Sequence, residues 1–572
     1  MPIPRPEHPR PQFCRESWLN LNGTWQFEPD PGCSGAERGL QNVGRPLEGS
    51  ILVPFCPESK LSGVGNTDFM NGVWYKRTVR LDPQEDRVLL HFGAVDYRST
   101  VFVNGQTVGT HKGGYTSFQF DISGFVHPGE NEIAVFAADD SRDTTIPSGK
   151  QSAGYHSAGC SYTRTTGIWQ TVWLEFVPQS YIRRVKFEPD IHACSVTMEV
   201  QLEGSGALTA EVTYQGRPMG SCRCDHANGV AHFTVPLAEK QLWEVGQGRL
   251  YDVKLTFGRD TVSSYFGLRQ VRMEGMKFML NDRSVFQRLV LDQGFYPDGI
   301  YTAPTDGDLV RDIELSLAAG FNGARLHEKV FEERFLYHAD RLGYLVWGEY
   351  GDWGSDATRL ENLHAVLPEW LEIVNRDYNH PAIIGWCPRN ETVGWSHTVN
   401  GQGAVYHEAN VELLYRVTKA LDPTRPCIDT SGFYHVVTDI FCVHDYEQDP
   451  KVFKERYDAL MTEGVLNNPL KNKQVYRGEP TFLSEYGGIP WTADASGWGY
   501  GKNPPKTKAE FILRFRGLTD ALLDNSKMFG LCYTQLTDIE QEQNGLYTYR
   551  REPKFDMAVI RGIMSRKAAI ED

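Results

Sequence analysis

Acidic side chains that stand just after short apolar runs hold the chain's clearest chemical promise. They are Asp292, Glu349, Glu391, Asp445, Glu485 and Asp538. Two of them have a setting that projects the side chain. Glu391 follows the run 382–386 and the tight segment Cys387-Pro388-Arg389-Asn390. Glu485 ends the run Thr481-Phe482-Leu483 and precedes Gly487-Gly488, which frees the backbone around it. Two carboxylates facing one pocket suit the breaking of a glycosidic bond. One, protonated, gives its proton to the leaving oxygen; the other, ionised, attacks or stabilises an oxocarbenium-like centre. Close approach raises one pKa of such a pair. Spacing alone leaves a second reading open, in which both are ion-paired framework residues, Glu391 with Arg389 or Arg325.

The elements that must position these groups change character near Gly267. Residues 1–180 carry alternating or β-branched runs at 88–92, 100–103, 132–136 and 171–176, with turn signals Asn104-Gly105, Gly113-Gly114 and Pro128-Gly129 between them. Short, evenly spaced strands predict a β jelly-roll sandwich. Residues 181–267 continue with short strands, at 195–202, 209–214 and 251–256, enough for one immunoglobulin-like β-sandwich. From 268 to 572, apolar runs at 286–291, 323–326, 344–347, 382–386, 427–430, 440–443, 481–484 and 528–533 alternate with helical periods at 306–319, 332–342, 368–375, 408–421 and 508–524. Pro368 is read as a first-turn residue, where a missing N–H costs nothing. Eight β-runs with helices between them predict a (β/α)8 TIM barrel, although the fifth helix is weakly marked and the count of eight is inferred. In such a barrel the reacting groups sit at the C-terminal strand ends.

A chain of 572 residues exceeds one compact core, so several domains are expected. The net charge of −15 argues against nucleic acid or an anionic membrane as partner, and no run of about 20 apolar residues occurs. The 11 cysteines include no CxxC pair, Cys222 and Cys224 being the closest two. With the polar, Pro-rich start MPIPRPEHPR, which has no apolar signal core, this leads to an expectation of reduced thiols and a cytoplasmic location. The 13 Trp and 26 Tyr supply flat faces for stacking on sugar rings. A homo-oligomer is left open.

The stretch Asn379-His380-Pro381-Ala382-Ile383-Ile384-Gly385-Trp386-Cys387-Pro388-Arg389-Asn390-Glu391 resembles the acid/base signature of glycoside hydrolase family 2, which includes β-galactosidases, β-glucuronidases and β-mannosidases. Pro480-Thr481-Phe482-Leu483-Ser484-Glu485-Tyr486-Gly487-Gly488 resembles its nucleophile segment, and Asp340-Arg341-Leu342-Gly343-Tyr344-Leu345-Val346-Trp347 the helix-to-strand passage upstream. Leu21-Asn22-Gly23-Thr24-Trp25, Val53-Pro54-Phe55, Val73-Trp74-Tyr75, Val103-Asn104-Gly105 and Gly167-Ile168-Trp169-Gln170 resemble the family's sugar-binding jelly roll. The resemblance covers nearly the whole chain in the order jelly roll, immunoglobulin-like domain, barrel. It implies a retaining, exo-acting hydrolase of terminal glycosides, read first as a β-D-galactosidase. The alternatives are β-glucosides, β-mannosides, β-glucuronides, and furanosides such as β-galactofuranoside or α-L-arabinofuranoside. A different class, a carbohydrate-binding protein without turnover, is the remaining rival. The resemblance makes Glu391 the acid/base, Glu485 the nucleophile, and Asn390 a partner of the sugar 2-hydroxyl.

Three departures bear on the substrate. Many members carry Arg-x-Ser-His-Tyr-Pro after the second strand, whereas this chain has Arg325-Leu326-His327-Glu328-Lys329-Val330. Arg325 and His327 are expected in the pocket, His327 on a sugar hydroxyl or ordering its loop. Gly348-Glu349-Tyr350-Gly351-Asp352-Trp353 lacks the His of the magnesium-dependent β-galactosidases, so no metal and no cofactor is expected. The β-glucuronidases hold the sugar carboxylate with Asn-x-Lys; residues 538–547 lack that Lys and are acidic, which speaks against a uronic acid. Asp292, His444, Asp445, Tyr446, Trp491, Tyr533 and Gln535, at or just beyond predicted strand ends, complete the expected cleft.

Overall fold

The computed structural model describes residues 2–82, 85–392, 398–399, 402–403, 408–432, 434–466, 476–492 and 497–571. Strands between Trp18 and Val177 form two antiparallel sheets, one of four strands and one of six, with a two-stranded pair beside them. Alternation along Gly129–Ala138 puts Ile133, Val135 and Ala137 into a core with Tyr75, Phe92 and Val101. The Asn104-Gly105 signal becomes the turn between Arg98–Val103 and Gln106–Lys112, with φ of 50° and 76°. Two positive φ values in succession are what a twisted two-residue hairpin needs.

Five strands from Tyr181 to Phe266 make the next sheet. The runs read separately at 195–202 and 209–214 join into one 20-residue strand, Ser195–Tyr214. It folds back at Gln215-Gly216 onto Arg217–Pro236. Register shifts between Gln201 and Ser205 interrupt the alternation there, so the sequence looked like two strands.

The third region is a parallel sheet of seven strands, in order Ile383–Cys387, Leu345–Glu349, Gly323–Leu326, Gln287–Asp292, Met528–Thr534, Thr481–Gly487 and Phe441–Asp445. The strand expected at 427–430 is reduced to single parallel bridges, Trp386 to Cys427 and Asn390 to Ser431. The cause is local. The buried Asp429 carboxylate accepts from the backbone of Thr430, Val436 and Val437 and pairs with His435. These bonds fold the segment on itself instead of extending it.

Helices lie between the strands. Asp306–Ala318 opens on a reciprocal Thr305/Asp308 capping box, which satisfies two otherwise orphaned N–H groups. Two helices escaped the sequence reading, Pro450–Thr462 and Met557–Met564. The first starts where Asp449 caps Lys451 and Val452 with Pro450 behind it, a legible signal. Pro368 is not in a first turn: its helix begins at Leu363. Among the described residues no helix is long and apolar enough to cross a membrane.

The jelly roll docks on the barrel along residues 148–163. Ser148 N–H donates to Trp353 O at 2.8 Å and Gly149 N–H to Gly351 O at 3.2 Å. Gly149 has φ of 56°, and a Cβ there would lie 2.4 Å from Glu328 O and 2.5 Å from the Tyr115 hydroxyl. Only glycine permits this approach. Further along, Thr163 N–H donates to Glu540, and Gln541 to Gly159 O.

Candidate active site

Glu391 and Glu485 come together at the C-terminal strand ends. The segment before Glu391 is clamped. The buried Arg389 bonds Asp352, Asn362 and Asn410, Asn390 N–H donates to Asp352 at 2.9 Å, and Trp353 Nε1–H donates to Asn390 O at 3.1 Å. Glu391 itself has φ of 49°, the left-handed region that side-chain-bearing residues rarely occupy. Its N–H donates to Ser431 O at 2.8 Å. Glu485 lies in Thr481–Gly487, and the next residue, Tyr486, turns outward to the Thr519 hydroxyl of a surrounding helix. Gly488 behind it has φ of 53°, and a Cβ there would meet Tyr500 at 2.4 Å.

One imidazole spans the two carboxylates. His444 Nδ1 is 2.6 Å from Glu391 Oε1, and its Nε2 is 3.3 Å from Glu485 Oε1 and 3.0 Å from Ser431 Oγ. One oxygen of each glutamate and one ring nitrogen all lie within 4.8 Å of one another. The side chain of Glu391 is 16% exposed and that of Glu485 4%, so Glu391 sits on the open side, where a leaving group would depart.

Arg325 organises the floor. It donates twice to Glu349, at 2.5 and 3.0 Å, and to Glu485 Oε1 at 3.0 Å and Asn390 Oδ1 at 3.1 Å. Asn390 Nδ2 has no partner among the described residues although buried, leaving a donor for a ligand hydroxyl. His327 is 3.3 Å from Glu349 and 3.9 Å from Glu485. Burial, then the neighbouring Lys150 and Arg325, push its pKa well down, so it is a neutral imidazole. Burial pushes Glu349 up to about 7 against the pull of Arg325. Burial also opposes ionisation of Glu485, but His444, Arg325, Lys150 and a hydrogen bond from the Tyr446 hydroxyl together hold its pKa below the usual value. Tyr446 is stacked on Tyr500 with ring centres 3.5 Å apart.

The structure thus gathers Asn390, Arg325, His327, His444 and Tyr446 around the two glutamates. Others lie elsewhere. Asp445 points outward to Arg456 at 2.5 Å and to the Tyr457 hydroxyl. Tyr533 packs against Tyr486 and Phe515 behind the sheet, and Trp491 against Phe511 and Phe555. Asp292 accepts from Gly294 N–H, and burial, then the charge of Asp312, raises its pKa to about 7. Asp292, Asp445 and Tyr533 stand at strand ends, but strand alternation turns them to the far side, whereas Trp491 lies beyond the end of Thr481–Gly487 in a loop. Gln535 joins a polar chain with Gln293 and Asn544, and Gln293 and Glu542 both bond the Tyr162 hydroxyl of the jelly roll.

Sequence reasoning missed Glu349 as the clasp of Arg325, and it missed Tyr162, Glu542 and Lys150. Nothing near Lys150 in the sequence signals it, because it arrives from another domain. Among the described residues the one cluster of metal-like spacing is Glu391, His444 and Glu485, the same groups that face the pocket. A cleft of about 620 Å³ between the second and third regions, lined by Phe187, Phe266, Arg269, Pro381 and Arg425 among others, contains none of these groups.

Comparison with known proteins agrees with this architecture. Residues 59–178 match the model described as "Glycosyl hydrolases family 2, sugar binding domain", 180–269 that described as "Glycosyl hydrolases family 2", and 303–565 that described as "Glycosyl hydrolases family 2, TIM barrel domain". A β-glucuronidase of Paenibacillus borealis is 25% identical, over 95% of this chain and 96% of its own. A β-galactosidase of Thermoanaerobacter pseudethanolicus is 26% identical, over 74% of this chain and 59% of its own. Among solved structures, Ruminococcus gnavus β-glucuronidase in complex with D-glucuronic acid superposes with a TM-score of 0.78 at 19% identity, covering 99% of this chain and 100% of that one.

Proposed function

From the premise that the chain belongs to glycoside hydrolase family 2, we propose that Glu391 and Glu485 are its acid/base and nucleophile, acting on terminal β-D-glucuronides. The observation that carries the catalytic pair is the His444 bridge, which sets the two carboxylates within 4.8 Å. Retaining glycosidases need their carboxyls about 5–5.5 Å apart, whereas inverting ones leave room for a water.

In the first step Glu485 Oε attacks the anomeric carbon as the bond to the leaving oxygen breaks, and Glu391 gives that oxygen its proton. The product is a glycosyl ester on Glu485. In the second step Glu391, now ionised, takes a proton from water; the water oxygen attacks the same carbon and releases Glu485. Two inversions give retention. Arg325 and Tyr446 stabilise the Glu485 carboxylate before attack and after release. Asn390 Nδ2 is available for the 2-hydroxyl, a contact that strengthens as positive charge develops.

The glucuronide is favoured by the names of several relatives, and it displaces β-galactoside, the first reading of the sequence, to second place. One observation keeps the β-galactoside in view: the segment 538–547 supplies Glu542 and Asn544 where a lysine was sought. Initial rates on a panel of aryl β-D-glycosides test the reading. Cleavage of the glucuronide well above the galactoside, glucoside and mannoside is expected; a galactoside preference would overturn the sugar assignment, and no cleavage of any member would overturn the catalytic one.

A further inference from the structure

One buried charge makes no contact with the groups that carry out the bond-making steps above. Lys150 is 4% exposed, yet its ammonium forms no hydrogen bond and no ion pair with any described residue; Nζ lies 4.5 Å over the Trp353 ring. Buried lysines without partners are rare because desolvation penalises the charge. Burial does oppose it here, but Cys160, Glu542, Glu485 and Glu328 raise its pKa above the usual lysine value. It remains a cation in the pocket.

The carboxylates around it are engaged elsewhere. Glu485 takes hydrogen bonds from Arg325 and Tyr446. Glu542 takes them from the Tyr162 hydroxyl at 2.5 Å and Asn544 at 3.0 Å. Burial, then Asp352, pushes the pKa of Glu328 well above the usual range, which keeps it neutral. The neighbouring backbone of Lys150 is fixed on the barrel by the Ser148 and Gly149 hydrogen bonds, so the ammonium is preorganised. The Trp353 ring under the ammonium donates its Nε1–H to Asn390 O at 3.1 Å, which ties Lys150 to the segment that carries Glu391 and so to the sugar side of the cleft.

We propose that Lys150, delivered from the jelly roll, is the specificity residue that binds the carboxylate of a hexuronic acid sugar. This rests on the glycosidase reading for the position of the sugar. It also supplies the cation missing from residues 538–547: the charge comes from the jelly roll and not from the barrel.

Binding separates this inference from catalysis. Calorimetric titration of the full chain with uronic isofagomine and with neutral isofagomine is expected to favour the uronic compound by on the order of 100-fold, the worth of a charge-assisted contact. Lys150→Met should abolish that ratio, and Lys150→Arg should retain much of it. The kcat/KM ratio of aryl β-D-glucuronide to aryl β-D-glucoside should fall in parallel. Equal binding of both compounds by the unaltered protein would overturn the proposal without any variant having to fold. So would a ratio that survives Lys150→Met, or a preference for a 6-O-sulfo glycoside over the uronide. A uronic preference without turnover of any glycoside would support Lys150 and sink the hydrolase reading instead.

Discussion

The guanidinium of Arg325 grips both oxygens of Glu349, at 2.5 and 3.0 Å. That clasp fixes the plane of the arginine, whose remaining edge reaches Glu485 at 3.0 Å. Glu349 is therefore a positioning residue: it touches the nucleophile only through its partner. Glu349→Gln is expected to lower kcat by roughly 10- to 100-fold, since a loosened arginine leaves its geometry by fractions of an ångström. It should leave label incorporation on Glu485 intact. Steady-state and trapping experiments on one preparation check both halves.

Glu391→Ala should slow glycosides with poor leaving groups far more than activated aryl glycosides, because an acidic leaving group needs little protonation. Azide should restore part of the lost rate and yield a β-glycosyl azide. An equal loss on both substrate types, with no azide product, would remove Glu391 from the acid/base role.

A 2-deoxy-2-fluoro glycosyl donor with a good leaving group should accumulate as an ester. Fluorine destabilises both transition states, while the leaving group keeps the first step fast. Peptide mapping is expected to find the sugar on Glu485. Label on Glu349 or on Glu479, or an inverted product by NMR, would contradict the assignment.

The depressed pKa of Glu485 has a sign that can be read in solution. Its ordinary value is 4.5, so the acid limb of kcat/KM belonging to the nucleophile should fall below pH 4.5. Tyr446→Phe removes one donor to the carboxylate and should move that limb upward. A folded value below the unfolded one means the stabilisation is present above pH 4.5 and is lost as pH falls through the folded value. The unaltered protein should accordingly lose thermal stability on acidification more steeply than Glu485→Gln.

Exhaustive dialysis against EDTA is expected to leave the initial rate unchanged. The described cluster with metal-like spacing is Glu391, His444 and Glu485, and a cation there would occupy the catalytic groups. Added zinc should inhibit, with relief by chelator. Loss of activity in EDTA, restored by magnesium, would show a metal role that these residues do not explain.

Much of this was legible in the sequence. The strand at 323–326, the core of the one that runs from Thr481 to Gly487 (read as 481–484) and the helix at 408–421 followed from periodicity, and the meeting of Glu391 and Glu485 in one pocket followed from strand ends plus the resemblance. What failed was the side of the strand. His444 and Asp445 are adjacent, as are Thr534 and Tyr533; one member of each pair reaches the pocket and the other the helix layer. A one-residue uncertainty in strand register reverses that assignment. Lys150 was out of reach for a different reason: a contact between domains leaves no local pattern in either.

The left-handed backbone of Glu391 carries a cost, for which the proposed acid/base role accounts. A residue with a Cβ at φ of 49° sacrifices roughly 1 kcal/mol against an ordinary conformation. Asparagine tolerates this region far better than alanine. Of two variants that both lack the carboxyl, Glu391→Asn should therefore melt above Glu391→Ala. The position marks a compromise between durability and turnover: a lineage released from the need to cleave its ligand would gain robustness here first, at the residue it no longer needed.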